Sequence, residues 1–344
     1  MQISIFMRTG VVLLLLLTGL SLPECYRASA MTESPAKRIP VGPGPEDMIL
    51  DTAGGKARLI VSCASRRESL EPYGEIVAVD PETGIITKLD RYNEPAALIF
   101  RPHGIYLYRD LLYVISHEKE PDDHPILIYR LHGDSLEFRE AIRTASQHSP
   151  NALVAGPGGE IYFVNDAEKR GSVAEKIFRL KRASLVRLKK GSDGIWQSEF
   201  LVMDLGYPAG INRIGDRLFV GDALLHRIHV YRISRNGPTH LEDIRGVRGV
   251  DNIRIHQGYL LAPGHVRPFR FIRHAGNPEK SSPVEVYLAD PVSGKVTTLY
   301  YNDGSAISAG STALFYDGFL YISQVFEPYI VKVRINDLPV ADGG

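Results

Sequence analysis

Six segments of the chain repeat one pattern, and this repetition constrains the fold more than any other feature. Each segment opens with a small or polar group, runs through a short apolar strand, turns at Gly or Asp, and continues into a second β-rich strand. The segments begin at Pro45, Pro102, Pro150, Pro208, Val250 and Gly310. Their mean spacing of roughly 53 residues suits a propeller blade of four strands. The pattern predicts an all-β chain folded as a six-bladed β-propeller.

Second hairpins fill the space between these openings. Residues 74–89 and 285–299 both place Asp-Pro and a Gly in the turn between alternating strands. The last repeat is one strand short, because the chain ends soon after 329–335. Residues near 38–41 are therefore expected to close the ring and remove an open edge. A pair of β-sandwiches is the alternative, which six matched repeats disfavour.

The first thirty residues are typical of an export signal. Arg8 precedes an apolar run over 11–22 that is short for a membrane span, and Ala28-Ser29-Ala30 offers a cleavage point. We therefore expect a signal peptide over 1–30, one catalytic propeller domain over 31–344, and a secreted or periplasmic location. An uncleaved membrane anchor is the alternative. Cys63, alone after cleavage, is expected to be a small core residue.

Charge and composition restrict the partners. The chain has 40 basic and 40 acidic residues, so no basic balance indicates nucleic acid. Residues 167–182 are the best helix candidate and are rich in Lys and Arg. This segment is expected to form a solvated charged face; the alternatives are that it covers the mouth of the propeller or that it touches an anionic or lipid surface.

Equivalent positions at the repeat openings converge in a propeller, because the first strand of each blade lines the central channel. These positions are Glu46, His103, Asn151, Ala209, Asp251 with Asn252, and Ser311. Two carboxylates and two side-chain amides on one axis suit Ca²⁺, which takes six to eight oxygens in loose geometry. Zinc would need clustered His or Cys. The expected calcium ligands are Glu46, Asn151, Asp251 and Asn252; capping of strand ends is the alternative for each.

Two histidines lie near the same ring. His103 opens the second repeat and His117 ends its next strand, so an antiparallel hairpin would make the imidazoles neighbours. Such a pair can deprotonate water near neutral pH. The sequence contains neither a Gly-x-Ser-x-Gly motif nor a Gly-rich phosphate loop at a strand-to-helix turn. Metal-assisted hydrolysis with water as the nucleophile is therefore favoured over covalent catalysis.

Several of these strings together resemble the serum paraoxonase/arylesterase family, with the gluconolactonase-like propellers as broader kin. The matching strings are Pro45-Glu46-Asp47, Pro102-His103-Gly104-Ile105, the Asn151 segment ending in Asn165-Asp166, Gly210-Ile211-Asn212, 224–231, Val250-Asp251-Asn252-Ile253, Gly264-His265 and Gly310-Ser311-Thr312. The resemblance implies a six-bladed propeller with two calcium ions in its channel. It implies lactones, aryl esters and phosphotriesters as substrates.

The resemblance also implies roles residue by residue. Glu46, Asn151, Asp251 and Asn252 would bind a catalytic calcium, and Asp47 with the carbonyl of Ile105 would bind a structural one. His103 would be the base, His117 its partner, and Asp166 with His265 would line the pocket. Three departures stand out: Ala209 replaces an Asn ligand of the first ion, Ala152 replaces an Asp ligand of the second, and the family's disulfide has no counterpart.

The sequence thus favours a calcium-dependent hydrolase of small-molecule lactones and aryl esters, with no nucleic-acid partner. Two alternatives stay open. One is a sugar lactonase of the gluconolactonase-like kind. The other, supported by the two Ala departures, is a propeller that binds a ligand or protein without catalysis.

Overall fold

A computed structural model describes residues 35–67, 73–118, 123–168, 170, 181–235, 237–335 and 338. Within these ranges the chain forms twenty-five strands and one helix, arranged as six β-sheets. Each sheet is one blade of a propeller, and its strands follow one another in chain order, except for β6 at the edge of the second blade and β1 at the edge of the sixth. The predicted all-β, six-bladed β-propeller is confirmed.

The first blade contains β2 (Pro45–Asp51), β3 (Arg58–Ala64), β4 (Gly74–Val79) and β5 (Ile86–Lys88). The second contains β7 (Pro102–Tyr108), β8 (Leu111–Ser116), β9 (Ile126–His132) and β10 (Ser135–Ile142), with β6 (Asp90–Tyr92) parallel to β10 at its edge. The third contains β11 (Pro150–Ala155), β12 (Ile161–Asn165), β13 (Ala183–Lys190) and β14 (Trp196–Leu205).

The fourth blade contains β15 (Pro208–Ile214), β16 (Arg217–Asp222), β17 (Arg227–Ser234) and β18 (Gly237–Arg245). The fifth contains β19 (Arg254–His256), β20 (Tyr259–Gly264), β21 (Val284–Ala289) and β22 (Val296–Asn302), with the helix α1 (Pro268–Gly276) between β20 and β21. The sixth contains β23 (Gly310–Tyr316), β24 (Phe319–Gln324), β25 (Tyr329–Arg334) and β1 (Lys37–Pro40).

The ring is closed by the N-terminal strand. β1 pairs antiparallel with β25, from Lys37 opposite Lys332 to Pro40 opposite Tyr329. This pairing covers the backbone groups of β25 that would otherwise form an exposed edge. The predicted closure of the last blade is therefore confirmed, whereas the short parallel strand β6 was not predicted.

The core consists of apolar layers between neighbouring blades. The central strands of a blade are buried on both faces, so their apolar and polar residues need not alternate. The sequence of β12, for example, is Ile-Tyr-Phe-Val-Asn. Tyr129, Tyr287 and Tyr321 are the largest fully buried side chains. Cys63 is buried and unpaired in the layer between the last and first blades, as the sequence indicated.

Glycines let the innermost strands approach one another. A Cβ added at Gly104 would lie 2.3 Å from the Asn151 carbonyl oxygen, and one added at Gly210 would lie 2.3 Å from the Asp251 carbonyl oxygen. A side chain at either position would therefore push adjacent blades apart. Each glycine directly follows a repeat-opening residue, so the close approach brings the openings together around the axis.

The predicted signal peptide lies outside the described residues, as does most of the helix candidate at 167–182. In the ranges that the structure describes, no helix is long and apolar enough to cross a bilayer.

Candidate active site

In five of the six blades, the repeat-opening side chains occupy β-bulges in the innermost strands. In β2, Pro45 pairs with Cys63 and Asp47 with Ser62, so Glu46 is an extra residue between them. The ladders of the third, fourth, second and sixth blades skip in the same place, at Asn151, Ala209, His103 with Gly104, and Ser311 with Thr312. A bulge bends the strand and redirects the extra side chain. The common bulge explains why residues in separate blades converge on one channel.

Glu46 and His103 form the first pair of the site. The Glu46 Oε2 atom lies 2.5 Å from His103 Nδ1 and accepts a 2.8 Å hydrogen bond from Arg66 Nη2. Both side chains are buried. Because Nδ1 faces a carboxylate, the favoured neutral tautomer carries its proton there. Neither ring nitrogen meets the geometry of a hydrogen bond with a described residue, and Nε2, unlike Nδ1, has no carboxylate in contact.

Two buried amides present oxygens that have no hydrogen-bond partner within the described ranges. Asn151 donates from Nδ2 to Asp166 Oδ2 over 3.2 Å, which turns Oδ1 the other way. Asn252 donates from Nδ2 to Ser311 Oγ over 3.2 Å, and its Oδ1 is likewise left over. An unpaired buried carbonyl costs about 1–3 kcal/mol. Two such buried oxygens, both at repeat openings, therefore fit the ligands of a cation better than they fit strand capping.

Asp251 supplies the second carboxylate. Its Oδ2 lies 3.0 Å from His265 Nε2 and accepts a 2.9 Å hydrogen bond from Ser311 Oγ. Burial raises the pKa of Asp251, and the negative charge of Glu46 adds to this rise. The effect of Glu46 indicates that the two carboxylates share one environment, where a cation would relieve their repulsion.

The predicted histidine pair is confirmed as a contact, and it extends to a third ring. The ring centroids of His103 and His117 are 4.5 Å apart, and those of His117 and His124 are 4.9 Å apart. His117 Nδ1 and His124 Nδ1 are separated by 3.2 Å, so one donates to the other. The sequence analysis missed His124, which lies between β8 and β9.

Electrostatics keep this site in a definite protonation state. Burial alone would raise the pKa of Glu46, but the charges of His103 and Arg66 outweigh it and lower that pKa to about 2. Burial lowers the pKa of His103, against the opposing effect of Glu46. Burial, together with Arg170 and His103, lowers the pKa of His117 well below its ordinary value. Near neutral pH, Glu46 is therefore an anion and both imidazoles are neutral.

A pocket reaches the histidines from outside. Its lining includes His117 and His124 together with the guanidinium groups of Arg66 and Arg101. In the neighbouring third blade, Asp166 accepts a 2.5 Å hydrogen bond from Ser149 Oγ and also interacts with Tyr207. Burial raises the pKa of Tyr207 well above 10, so this phenol stays protonated.

The residues proposed for a second ion have different partners. Asp47 Oδ1 and the Ile105 carbonyl oxygen both accept hydrogen bonds from Arg254 Nη2, at 2.5 and 3.1 Å. Asp47 Oδ2 accepts from the Ile105 backbone N–H over 2.8 Å. The oxygens expected to hold a metal are therefore bound by a side chain of this protein.

A further cluster of potential ligands lies on the outer strands of the fourth blade. Asp243 Oδ1 is 2.8 Å from His229 Nδ1 and 3.0 Å from His240 Nε2. The other oxygen of Asp243 binds Arg227 and Arg245. Because two guanidinium groups already neutralise the carboxylate, we interpret this cluster as an ion-pair network on β17 and β18.

Comparison with known proteins decides the family. The family model described as "Arylesterase" matches residues 74–330, which include the second to the fifth blades completely and parts of the first and sixth. This chain belongs to the arylesterase family. Serum paraoxonase/arylesterase 2 of Canis lupus familiaris is 27% identical over 243 residues, covering 66% of this chain and 67% of the relative. Serum paraoxonase/lactonase 3 of Homo sapiens is 26% identical over 246 residues, with coverage of 66% and 67%.

The fold of this arylesterase-family chain is also found in a solved structure. A luciferin-regenerating enzyme superimposes with a TM-score of 0.56 over 87% of this chain and 95% of its own, at 12% identity. At this identity the similarity supports the propeller fold alone.

Proposed function

We propose that this protein is a calcium-dependent hydrolase of lactones and aryl esters that uses water as the nucleophile. Membership of the arylesterase family and the names of its curated relatives support ester or lactone hydrolysis. The observation that carries the calcium dependence is the pair of buried amide oxygens, Asn151 Oδ1 and Asn252 Oδ1, at repeat openings equivalent to those of the carboxylates Glu46 and Asp251.

These four side chains offer only oxygen, which is the donor that Ca²⁺ prefers. The two carboxylates balance the charge of a divalent cation, and the two amides add neutral ligands. Ala209 occupies the corresponding bulge of the fourth blade, where its methyl group leaves room for a water ligand. Bound calcium would polarise the substrate carbonyl and stabilise the negative charge that develops on its oxygen.

His103 is the proposed general base. Its Nδ1 faces Glu46 Oε2, and its neutral ring leaves the Nε2 lone pair free to accept a proton from the attacking water. The resulting imidazolium would be stabilised by the Glu46 carboxylate 2.5 Å away. This arrangement resembles the orienting carboxylate of a hydrolase triad, with water in place of the serine.

His117 is the proposed partner of His103. It packs against that ring and is itself held by His124 through their Nδ1 atoms. The contact fixes the orientation of both rings beside the pocket. Asp166 and His265 complete the proposed lining, because each holds one of the ligands: Asp166 binds the Asn151 amide and His265 binds Asp251.

A substrate panel tests the proposal. Purified protein is assayed with aliphatic lactones, sugar lactones and aryl acetates, each with calcium and with a chelator. Calcium-dependent turnover of aliphatic lactones and aryl acetates is the expected result. Turnover restricted to sugar lactones would indicate the gluconolactonase-like alternative, and no turnover of any substrate would indicate a binding protein.

We also propose that residues 1–30 direct export and are then removed, which would place the protein outside the cell or in the periplasm. The apolar run over 11–22 and the small residues at 28–30 support this proposal. Mass spectrometry of the mature N-terminus tests it: a chain beginning near residue 31 is expected, and an intact Met1 in an exported sample would indicate an anchor instead.

A further inference from the structure

The channel contains a second charged centre, which lies next to the proposed calcium ligands in sequence but has a different chemistry. Its anion is Asp47, which follows Glu46 in β2 and is almost completely buried. Its cation is Arg254, the first residue of β19, which is also buried. A buried carboxylate needs a compensating positive charge, which a metal ion or a side chain can provide.

We propose that the guanidinium of Arg254 takes the place of the second calcium ion that the resemblance implies, so that this propeller binds no metal at Asp47 and Ile105. The proposal concerns a site distinct from the catalytic one. It rests on the contacts of Arg254 and does not require the proposed activity.

The geometry places the guanidinium where a cation would have to be. A calcium ion bound by both Asp47 Oδ1 and the Ile105 carbonyl would lie about 2.3–2.6 Å from each oxygen. Arg254 Nη2 already lies 2.5 Å from the first and 3.1 Å from the second. The ion and this nitrogen cannot occupy the same position, and their like charges would repel.

Other contacts prevent the guanidinium from moving aside. Arg254 donates from Nε to the Met48 carbonyl over 2.8 Å and from Nη1 to the Ile253 carbonyl over 3.2 Å. Three nitrogens of one planar group are thereby held by β2, by β7 and by the segment before β19. Arginine suits this position because its donors have a fixed geometry and it keeps its charge when buried.

Both carboxylate oxygens of Asp47 also accept hydrogen bonds from groups other than Arg254. Oδ1 accepts from the Met48 backbone N–H over 2.8 Å and from Thr312 Oγ1 over 2.7 Å. Oδ2 accepts from the Ile105 backbone N–H. The oxygens of Asp47 therefore all have hydrogen-bond donors, unlike the unpaired amide oxygens of Asn151 and Asn252. This difference indicates a structural role for Asp47.

Charge balance gives an independent reason. A divalent ion suits two carboxylates, whereas a guanidinium carries one charge and suits one. The resemblance implies a second carboxylate at residue 152, where this chain has Ala. Without that acid, the single negative charge of Asp47 is balanced by the single positive charge of Arg254. Arg254 would therefore connect the inner strands in place of the ion.

The first test is the calcium content of the wild-type protein, measured by atomic emission after gel filtration and by equilibrium dialysis with excess Ca²⁺. One ion per chain supports both this inference and the proposed function. Two ions per chain would overturn the inference. No bound ion would contradict the calcium-dependent function while supporting the assignment of Arg254, so the two proposals fail separately.

The second test compares two matched substitutions, Asp47→Asn and Asp251→Asn. Both remove one buried channel carboxylate without changing its size. Asp251→Asn is expected to lower calcium affinity at least tenfold. Asp47→Asn is expected to keep one ion with unchanged affinity but to unfold at a temperature several degrees lower, because the charge of Arg254 is left unpaired. Loss of calcium from Asp47→Asn would overturn the inference.

A third variant tests the position itself. Arg254→Met removes the charge and keeps the length of the side chain, so a cation can reach Asp47. Millimolar calcium is expected to raise the unfolding temperature of this variant more than that of the wild type, because a second ion then binds the folded state. An equal effect of calcium on both proteins would show that Arg254 does not exclude a metal.

Discussion

The substitution His103→Gln tests the proposed base. Glutamine can still donate one hydrogen bond to Glu46 Oε2, which His103 Nδ1 now contacts at 2.5 Å. Its amide cannot accept a proton as the free Nε2 of a neutral imidazole can. The variant should therefore keep its fold and its calcium site but lose the proton acceptor for water.

The expected loss in kcat is about a hundredfold to ten-thousandfold, the usual contribution of a general base. This loss corresponds to about 3–5 kcal/mol of transition-state stabilisation. The loss should not be larger, because the four oxygen ligands that would hold the carbonyl-polarising ion remain in place. The assay is the hydrolysis of an aryl acetate and of a lactone at saturating calcium and pH 8.

A matched control is His229→Gln. His229 is also a buried histidine bonded to a carboxylate, since its Nδ1 lies 2.8 Å from Asp243 Oδ1, but it belongs to the outer part of the fourth blade. This control should hydrolyse both substrates at the wild-type rate. If His103→Gln retains more than about a tenth of the wild-type kcat, His103 is not the base.

Glu46, Ala209 and Cys63 each give one further prediction. The pKa of Glu46 is about 2, compared with 4.5 ordinarily, so its ionisation stabilises the fold above pH 4.5 and this contribution, about 3 kcal/mol, is lost as the pH falls toward 2. Urea unfolding in chelator should show the wild type losing its stability advantage over Glu46→Gln between pH 4.5 and about pH 2; a constant difference would contradict this. Ala209→Asn should bind calcium about fivefold more tightly by calorimetry, which corresponds to one polar contact of roughly a kcal/mol; equal or weaker binding would mean that this bulge does not face the ion. Burial raises the pKa of Cys63 to about 12, so a thiol reagent at pH 8 should label it only after unfolding, and rapid labelling of the native protein would contradict its burial.

The propeller could be predicted from the sequence because each blade repeats the same local pattern. The openings at Pro45, Pro102, Pro150 and Pro208 all became innermost strands, and the closure by β1 followed from the missing strand of the last repeat. Equivalent positions of a closed ring face its axis, so the sequence also assigned Glu46, Asn151 and Asp251 to matching positions, and the charge of Glu46 does reach Asp251. What the pattern did not reveal is the bulge that aims these side chains inward.

The positions of other site residues depend on contacts between side chains that are far apart in the sequence. No local sequence pattern specifies these contacts. Arg66 follows β3 in a run of polar residues, yet its guanidinium folds back onto Glu46. Tyr207 precedes the fourth opening and interacts with Asp166 of the third blade. Arg254 would ordinarily be read as an exposed strand residue, and only the closed ring brings it to Asp47, 207 positions away in the chain. A repeat in the sequence identifies equivalent positions in different blades. It does not identify the residues that a long side chain contacts.

The calcium dependence of catalysis is tested most directly by measuring binding and hydrolysis in the same sample. Protein stripped with a chelator is titrated with Ca²⁺ while bound calcium and the rate of aryl acetate or lactone hydrolysis are recorded together. Catalysis by an ion at Glu46, Asn151, Asp251 and Asn252 predicts no hydrolysis without calcium and a rate that rises in proportion to the occupancy of one site. Hydrolysis at the full rate in the metal-free protein would contradict it.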